Sequence, residues 1–289
     1  MQMLHSKHIS IAMSLTKTYI RSFSRVSIEP ITDERCDIQS IIHKITSNKS
    51  KSKKSLAIQI PENLESGKVL KFFDSFQSLT SPLSIDSFIF WGRKVDDKEI
   101  VHFSQLLQSQ SIIKLRALNF GNTDFRPDYL NEILRSIYTG KHQLKVLELD
   151  GNPKLGENLI NIDDSHLQNG GKYIEELNLD AISLSNNNIQ NDINNDGIKS
   201  LFSTLEENSS LKLNTLGLSL NPVDADCVSF LVSRFRENAL PSLSCLQVMF
   251  PNCSSQSLYE LQYVFCQQKY PLDVEAAKQF TFYRIPTIL

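Results

Sequence analysis

Glycine and proline are scarce in this chain, ten of each in 289 residues, which excludes collagen-like and low-complexity architectures. Cysteine is sparse as well. Cys36, Cys227, Cys245, Cys253 and Cys266 are odd in number and have no C-x-x-C spacing. That argues against a disulfide framework or a zinc site and fits a reducing compartment. No stretch approaches the ~18–20 apolar residues that a membrane span needs. A dominant charge is missing too: the net charge is −2, so nothing in the overall balance points to nucleic acid. Motifs that carry catalysis are also absent, with no G-x-S-x-G, G-x-x-x-x-G-K-[ST], H-E-x-x-H or G-x-G-x-x-G. The histidines His5, His8, His43, His102, His142 and His166 form no i,i+4 pair. The expectation is a non-enzymatic protein with no cofactor, no metal and no small-molecule substrate.

One local absence stands out. Residues 1–28 contain no Asp or Glu but include Lys7, Lys17, Arg21 and Arg25 among many Ser and Thr. On a helix, Ile9, Ala12, Met13, Thr16, Ile20 and Phe23 share a face, the profile of a mitochondrial presequence. The alternatives are a disordered terminus and a cytoplasmic protein. From 29 to 54 the spacing predicts a capping helix from Asp33 to Ile45 and then a basic linker, residues 47–54. Residues 1–54 hold ten Lys and Arg against four acids, so a basic front end precedes an acidic body.

What the chain does have is a repeat. Leu144-x-x-Leu147-x-Leu149-x-x-Asn152 and Leu213-x-x-Leu216-x-Leu218-x-x-Asn221 are its clearest copies. Weaker copies start at Ser55, Ile85, Leu115 and Leu243. A step near thirty residues marks a repeat array. In each copy the apolar triplet reads as a short strand, with positions 1, 4 and 6 inward. Position 9, often Asn, turns the chain and bonds free backbone groups. A helix follows, for example on Val69, Leu70, Phe73 and Phe76, or on Val101, Leu106 and Leu107. One unit alone would not fold; stacked units bury a continuous core. One copy is ambiguous, because Ile174-Leu177-Leu179 and Leu179-Ile182-Leu184-Asn187 overlap. These two frames imply onward steps of 39 or 34 residues.

A strand-plus-helix unit of this length resembles the ribonuclease-inhibitor-like class of leucine-rich repeats. The resemblance implies an α/β leucine-rich repeat solenoid, curved, with parallel strands on the concave face, helices outside and about seven repeats. The array would span 55–271, with 272–289 as a cap or tail. Departures occur at position 9, which is Arg93, Thr123 or Pro251 in some units.

Positions 3, 5 and 7 point out of the strand face in this reading. Those columns contain no Lys or Arg, and the middle units present Glu148, Asp150, Glu176 and Asp180. This patch is expected to receive a basic segment of a protein partner; the bland alternative is a solvated strand face. Trp91, the single tryptophan, lies beside Ile89 and offers an apolar anchor, unless the basic linker or the amino-terminal segment covers it. The functional expectation is a scaffold, assembly factor or subunit of a larger complex. The alternatives are a regulator of an enzyme, as inhibitor or GTPase-activating partner, and a secreted effector that binds host proteins.

Overall fold

The computed structural model describes residues 26–30, 55–77, 79, 81–156, 165, 169–180, 194–207, 211–250 and 252–269. Among them the elements run β1 (Val26–Pro30), β2 (Ser55–Gln59), α1 (Ser66–Gln77), β3 (Leu83–Ser84), β4 (Ser87–Ile89), α2 (Asp97–Gln108), β5 (Ile112–Ile113) and β6 (Ala117–Asn119). They continue with α3 (Pro127–Thr139), β7 (Val146–Glu148), α4 (Pro153–Gly156), β8 (Glu176–Asn178), α5 (Asn194–Glu207), β9 (Thr215–Gly217), α6 (Ala225–Arg236), β10 (Cys245–Gln247) and α7 (Ser255–Lys269). The fold is α/β. Eight strands form one sheet in the order β1-β2-β4-β6-β7-β8-β9-β10, all parallel. A second, two-stranded parallel sheet joins β3 to β5.

Register follows the repeat. Position 3 of each copy aligns as Ala57↔Ser87, Ser87↔Ala117, Ala117↔Val146, Val146↔Glu176, Glu176↔Thr215 and Thr215↔Cys245. The fifth copy is therefore in the Ile174 frame, and the long step of 39 residues falls between β8 and β9. Strand β1 adds a pairing that the repeat pattern does not announce, since Val26 to Pro30 lacks the leucine signature. The expected cap helix at Asp33 to Ile45, the basic run 47–54 and the tail 272–289 lie outside the described residues, as does the alternative frame through Ile182 and Leu184.

The inward positions are buried as their spacing requires. Position 1 (Ile85, Leu115, Leu144, Ile174, Leu213 and Leu243), position 4 (Ile58 to Leu246) and position 6 (Ile60 to Val248) all belong to one hydrophobic cluster. The first units fill it with aromatic rings, such as Phe90 stacked on Phe120 at 4.6 Å and Phe120 against Phe125 at 4.5 Å. Later units use leucine. Each fully buried aliphatic or aromatic side chain contributes roughly 1.5–3 kcal/mol before chain entropy is subtracted.

The helices present Val69, Phe72, Phe73 and Phe76, then Ile100, Phe103, Leu106 and Leu107, and onward to Leu261, Val264 and Phe265. Val101, expected inward, is 48% exposed. Ile100 and Phe103 take that face with Leu107 at i, i+3 and i+7, whereas Val101 shares its side with Gln105 and Gln108. Asp96 caps this helix, its carboxylate accepting from the Glu99 N–H at 2.8 Å. Asp224 caps α6 on the N–H groups of Asp226 and Cys227. No helix among the described residues is long and apolar enough to cross a membrane.

Turns after the strands carry the inter-unit bonding. Position 8 takes positive φ at Gly92 (78°), Asn122 (54°), Gly151 (67°) and Leu220 (62°). Glycine and asparagine tolerate that region; leucine is strained in it. The turn lets successive N–H groups reach across units, as in Asn122 to the Asp150 carbonyl at 2.7 Å and Gly151 to the Asp180 carbonyl at 2.8 Å. At position 9, Asn152 is fully buried. Its amide N–H groups donate to the carbonyls of Phe120 (2.7 Å) and Leu149 (2.8 Å), and its oxygen accepts from the N–H groups of Thr123 and Phe125, both at 2.9 Å. Asn221 repeats the donor half, to Leu179 and Leu218.

Asn63, at position 9 of the copy that starts at Ser55, is exposed instead. The next unit supplies the substitute. Buried Arg93 donates to the carbonyls of Pro61 (3.2 Å) and Leu64 and pairs with buried Glu99. Arg93 thus reaches back to the preceding unit, as Asn152 does, with a guanidinium in place of an amide.

Candidate protein-binding face

Strands β4 to β9 set positions 3, 5 and 7 on the sheet face opposite the core. Parallel in-register pairing places equal positions of neighbouring units side by side, about 4.8 Å apart. Glu148 at position 5 of β7 and Glu176 at position 3 of β8 are therefore near neighbours, and Asp150 and Asp180 stand together at position 7. All four are partly exposed. Of the six residues expected to form the face, the structure brings these carboxylates together and adds Trp91 to them.

The link to Trp91 is the part that the sequence reading missed. The Trp91 indole N–H donates to the Asp150 carboxylate, although the two are two units apart. Gly121 makes this possible. It holds position 7 in the unit between, and a Cβ there would lie 2.6 Å from Trp91 Cδ1 and 2.7 Å from Asp150 Oδ1. No side chain fits under that bridge. Gly217 does the same for the other end, where a Cβ would meet Asn178 Oδ1 at 2.8 Å and Asp180 Oδ1 at 2.9 Å. The only signal available beforehand was a small residue in a column of large ones. Ile89 behaves differently from expectation: it is only 8% exposed and offers little contact area itself.

Hydrogen bonds hold the acidic side chains in place. Asn119 donates to Glu148 and accepts from the Gly121 N–H at 2.9 Å. Asn178 repeats the second bond, accepting from the Asp180 N–H at 3.0 Å. Asp180 in turn accepts from the Ser219 N–H at 2.6 Å. Asparagine at position 5 thus braces position 7 in two units.

The electrostatics follow from crowding. Burial raises Glu148 to about 8, helped by repulsion from Asp150 and Glu176. Burial also raises Asp180 to about 7, with Asp150 adding to it, while the Ser219 N–H works against the rise. Asp150 reaches only about 6; burial raises it, and the Trp91 N–H is among the groups that hold it down. Such a face has more negative charge than it can carry comfortably, and an incoming cation relieves it.

Among the described residues no three His, Cys, Asp or Glu side chains are arranged to hold a metal ion. The described cysteines Cys227, Cys245, Cys253 and Cys266 are free thiols, and burial pushes Cys227 up to about 12, far from a reactive thiolate.

No family model matches this chain, and no curated protein matches it. The geometry of the strand face stands on its own.

Proposed function

We propose that this chain is a leucine-rich repeat solenoid of about seven units that acts without catalysis, binding a basic segment of another protein on its strand face. In this reading it is a scaffold, assembly factor or subunit, with localisation to mitochondria following from the acid-free amino terminus. The observation that carries the proposal is the continuous patch from Trp91 through Asp150 and Glu148 to Glu176 and Asp180. It has an aromatic anchor at one end and no Lys or Arg in the three outward columns. Anchors of this kind dominate interface energetics, and complementary charge adds association rate and orientation.

Affinity purification of the tagged full chain, with mass spectrometry, tests it. A partner is expected that is retained at low salt, released as ionic strength rises and lost with Asp150→Lys or Trp91→Ala. Binding that ignores salt, or that survives Asp150→Lys unchanged, refutes the proposed face. Acceleration of a small GTPase's hydrolysis by the purified protein would replace the scaffold reading with that of an enzyme regulator. Sequencing of the mature amino terminus tests the localisation.

A further inference from the structure

We propose that the basic side chains at the amino ends of strands β6 to β9 form a binding site for single-stranded nucleic acid, with Tyr173 as its stacking platform. This rim is separate from the acidic face. Positions 2 and 7 of a unit lie about 17 Å apart along extended chain. The balanced total charge conceals the rim, because its cations are gathered locally. The segments leading into these four strands, residues 109–116, 140–145, 169–175 and 211–214, hold Lys114, Arg116, Lys141, Lys145, Lys172 and Lys212. Against them stands a single acid, Glu175.

Sheet register turns that composition into a surface. At position 2 the N–H groups of Arg116, Lys145, Glu175 and Asn214 donate in turn to the carbonyls of Asp86, Arg116, Lys145 and Glu175, at 2.7 to 2.8 Å. Neighbours in this row therefore stand about 4.8 Å apart. Lys145 Nζ takes up the Glu175 carboxylate at 2.6 Å. Lys114, Arg116, Lys141 and Lys212 are exposed, and among the described residues no ion pair holds any of these four. The turn that carries Lys141 is fastened to the end of α2. A Cβ on Gly140 would lie 2.0 Å from the Leu107 carbonyl oxygen, and His142 Nε2 donates to that same oxygen at 2.8 Å.

Aromatic rings sit among the cations, and they decide the class of ligand. Tyr173 is half-buried, with Lys172 Nζ 5.1 Å and Lys212 Nζ 5.9 Å from its ring centre. Tyr138, whose carbonyl accepts from the Lys141 N–H at 3.0 Å, is 52% exposed. Any base can stack on such a ring while lysines follow the phosphates. A base that takes one face of Tyr173 displaces a lysine whose flexible stem lets it move to the adjoining phosphate. An acidic peptide would use the charges and leave the rings idle. In a duplex the bases are already paired and stacked, so the strand that fits is single. Three strand spacings cover about 14 Å, a site on the order of four nucleotides.

Fluorescence anisotropy of labelled oligouridine and oligothymidine, each about twelve nucleotides long, measures binding to the full chain. Binding to either supports the proposal, and the two arms distinguish RNA from DNA. Neutralising about four phosphates predicts that log K falls with log salt at a slope of about −3. The combined changes Lys114→Glu, Arg116→Glu, Lys141→Glu and Lys212→Glu are expected to weaken binding at least ten-fold and to flatten that slope. Tyr173→Ala is expected to weaken it about five-fold or more at an unchanged slope, and Tyr173→Phe to restore it. Circular dichroism checks the fold, and glutamine at the same four positions replaces glutamate if charge reversal disturbs it.

Binding that survives these changes comes from elsewhere, such as the ten Lys and Arg of residues 1–54, and overturns the proposal. Absence of binding by wild type does the same. Polyglutamate that competes as well as oligouridine, with Tyr173→Ala silent, makes the occupant an acidic protein and overturns it. Phosphatidylserine vesicles that sediment wild type but not the quadruple variant, with no oligonucleotide bound, overturn it in favour of a membrane surface. Asp150→Lys, which disables the protein-binding face, is expected to leave oligonucleotide binding at least as tight, so each surface can fail without the other.

Discussion

Asn152→Ala should unfold this protein more readily than most single changes in its leucine core. Truncation removes the oxygen that accepts from Thr123 and Phe125 and the amide that donates to Phe120 and Leu149. The Phe120 carbonyl keeps one partner, the Thr123 hydroxyl at 2.7 Å. Three buried backbone groups lose their bond: two N–H donors and the Leu149 carbonyl. Each costs about 1–3 kcal/mol, and partial entry of water lowers the sum, so roughly 3–5 kcal/mol is expected. That is a large share of a typical stability of about 5–15 kcal/mol.

Urea denaturation checks the number, with circular dichroism reporting the whole array and Trp91 fluorescence reporting the neighbouring units. At a slope near 3 kcal/mol per molar, the midpoint should fall by roughly 1–1.7 M. Repeat arrays can lose two-state behaviour, so non-coincident curves would themselves show that the units on either side of Asn152 have uncoupled. Thr123→Ala, which removes a single hydroxyl bond, is the control at about 1 kcal/mol. Asn152→Asp keeps the acceptor but points a carboxylate oxygen at carbonyls. Its cost should grow as pH rises, because only the protonated acid can donate. A loss below about 1 kcal/mol for Asn152→Ala would refute the account of how these units are joined.

The acidic face makes a pH prediction of definite sign. Carboxyls raised in the folded state bind more protons than they do unfolded, so stability falls as pH rises from the unfolded value near 4 to the folded values of about 6 to 8. Melting temperature should therefore drop between pH 6.5 and 8, and Glu148→Gln should flatten that drop; a rise over this interval in wild type would contradict it. Leu220→Asn relieves a leucine at φ 62° and should stabilise by about 0.5–1 kcal/mol, read as a higher melting temperature. Arg93→Ala leaves Glu99 charged, buried and unpaired, at about 3–5 kcal/mol. The double change Arg93→Met with Glu99→Leu should recover part of this in a double-mutant cycle, the remainder being the orphaned carbonyls of Pro61 and Leu64. Gly121→Ala should break the Trp91 to Asp150 bridge and shift the tryptophan emission while far-ultraviolet dichroism stays native; unchanged emission would count against the bridge.

The buried positions were legible in the sequence because burial acts on spacing. Leu144, Leu147 and Leu149 face inward by the two-residue period of a strand, and the same logic placed Phe73 and Phe76 by helical period. Where spacing is degenerate it failed. Leu179 serves equally well as the last residue of one apolar triplet or the first of the next, and only pairing of Glu176 with Val146 and Thr215 chose between them. Val101 and Ile100 are equally apolar neighbours, and Ile100 is the one buried, packed with Phe103 and Leu107. Asn63 looked like a turn residue by type, while Arg93 does that work from thirty positions away.

The candidate face divides along the same line. Its acidity was readable, since the columns that alternate with the core name Glu148, Asp150, Glu176 and Asp180 without reference to any contact. Its construction was not. Trp91 meets Asp150 only because one intervening strand brings them into line and Gly121 leaves the space empty. Sequence alone determined the repeat, its inward residues and the sign of the outward charge, all consequences of a local period repeated many times. Tertiary structure decided which distant side chains touch, because that depends on register between units and on what is absent beneath a bridge, and neither is carried by any single repeat.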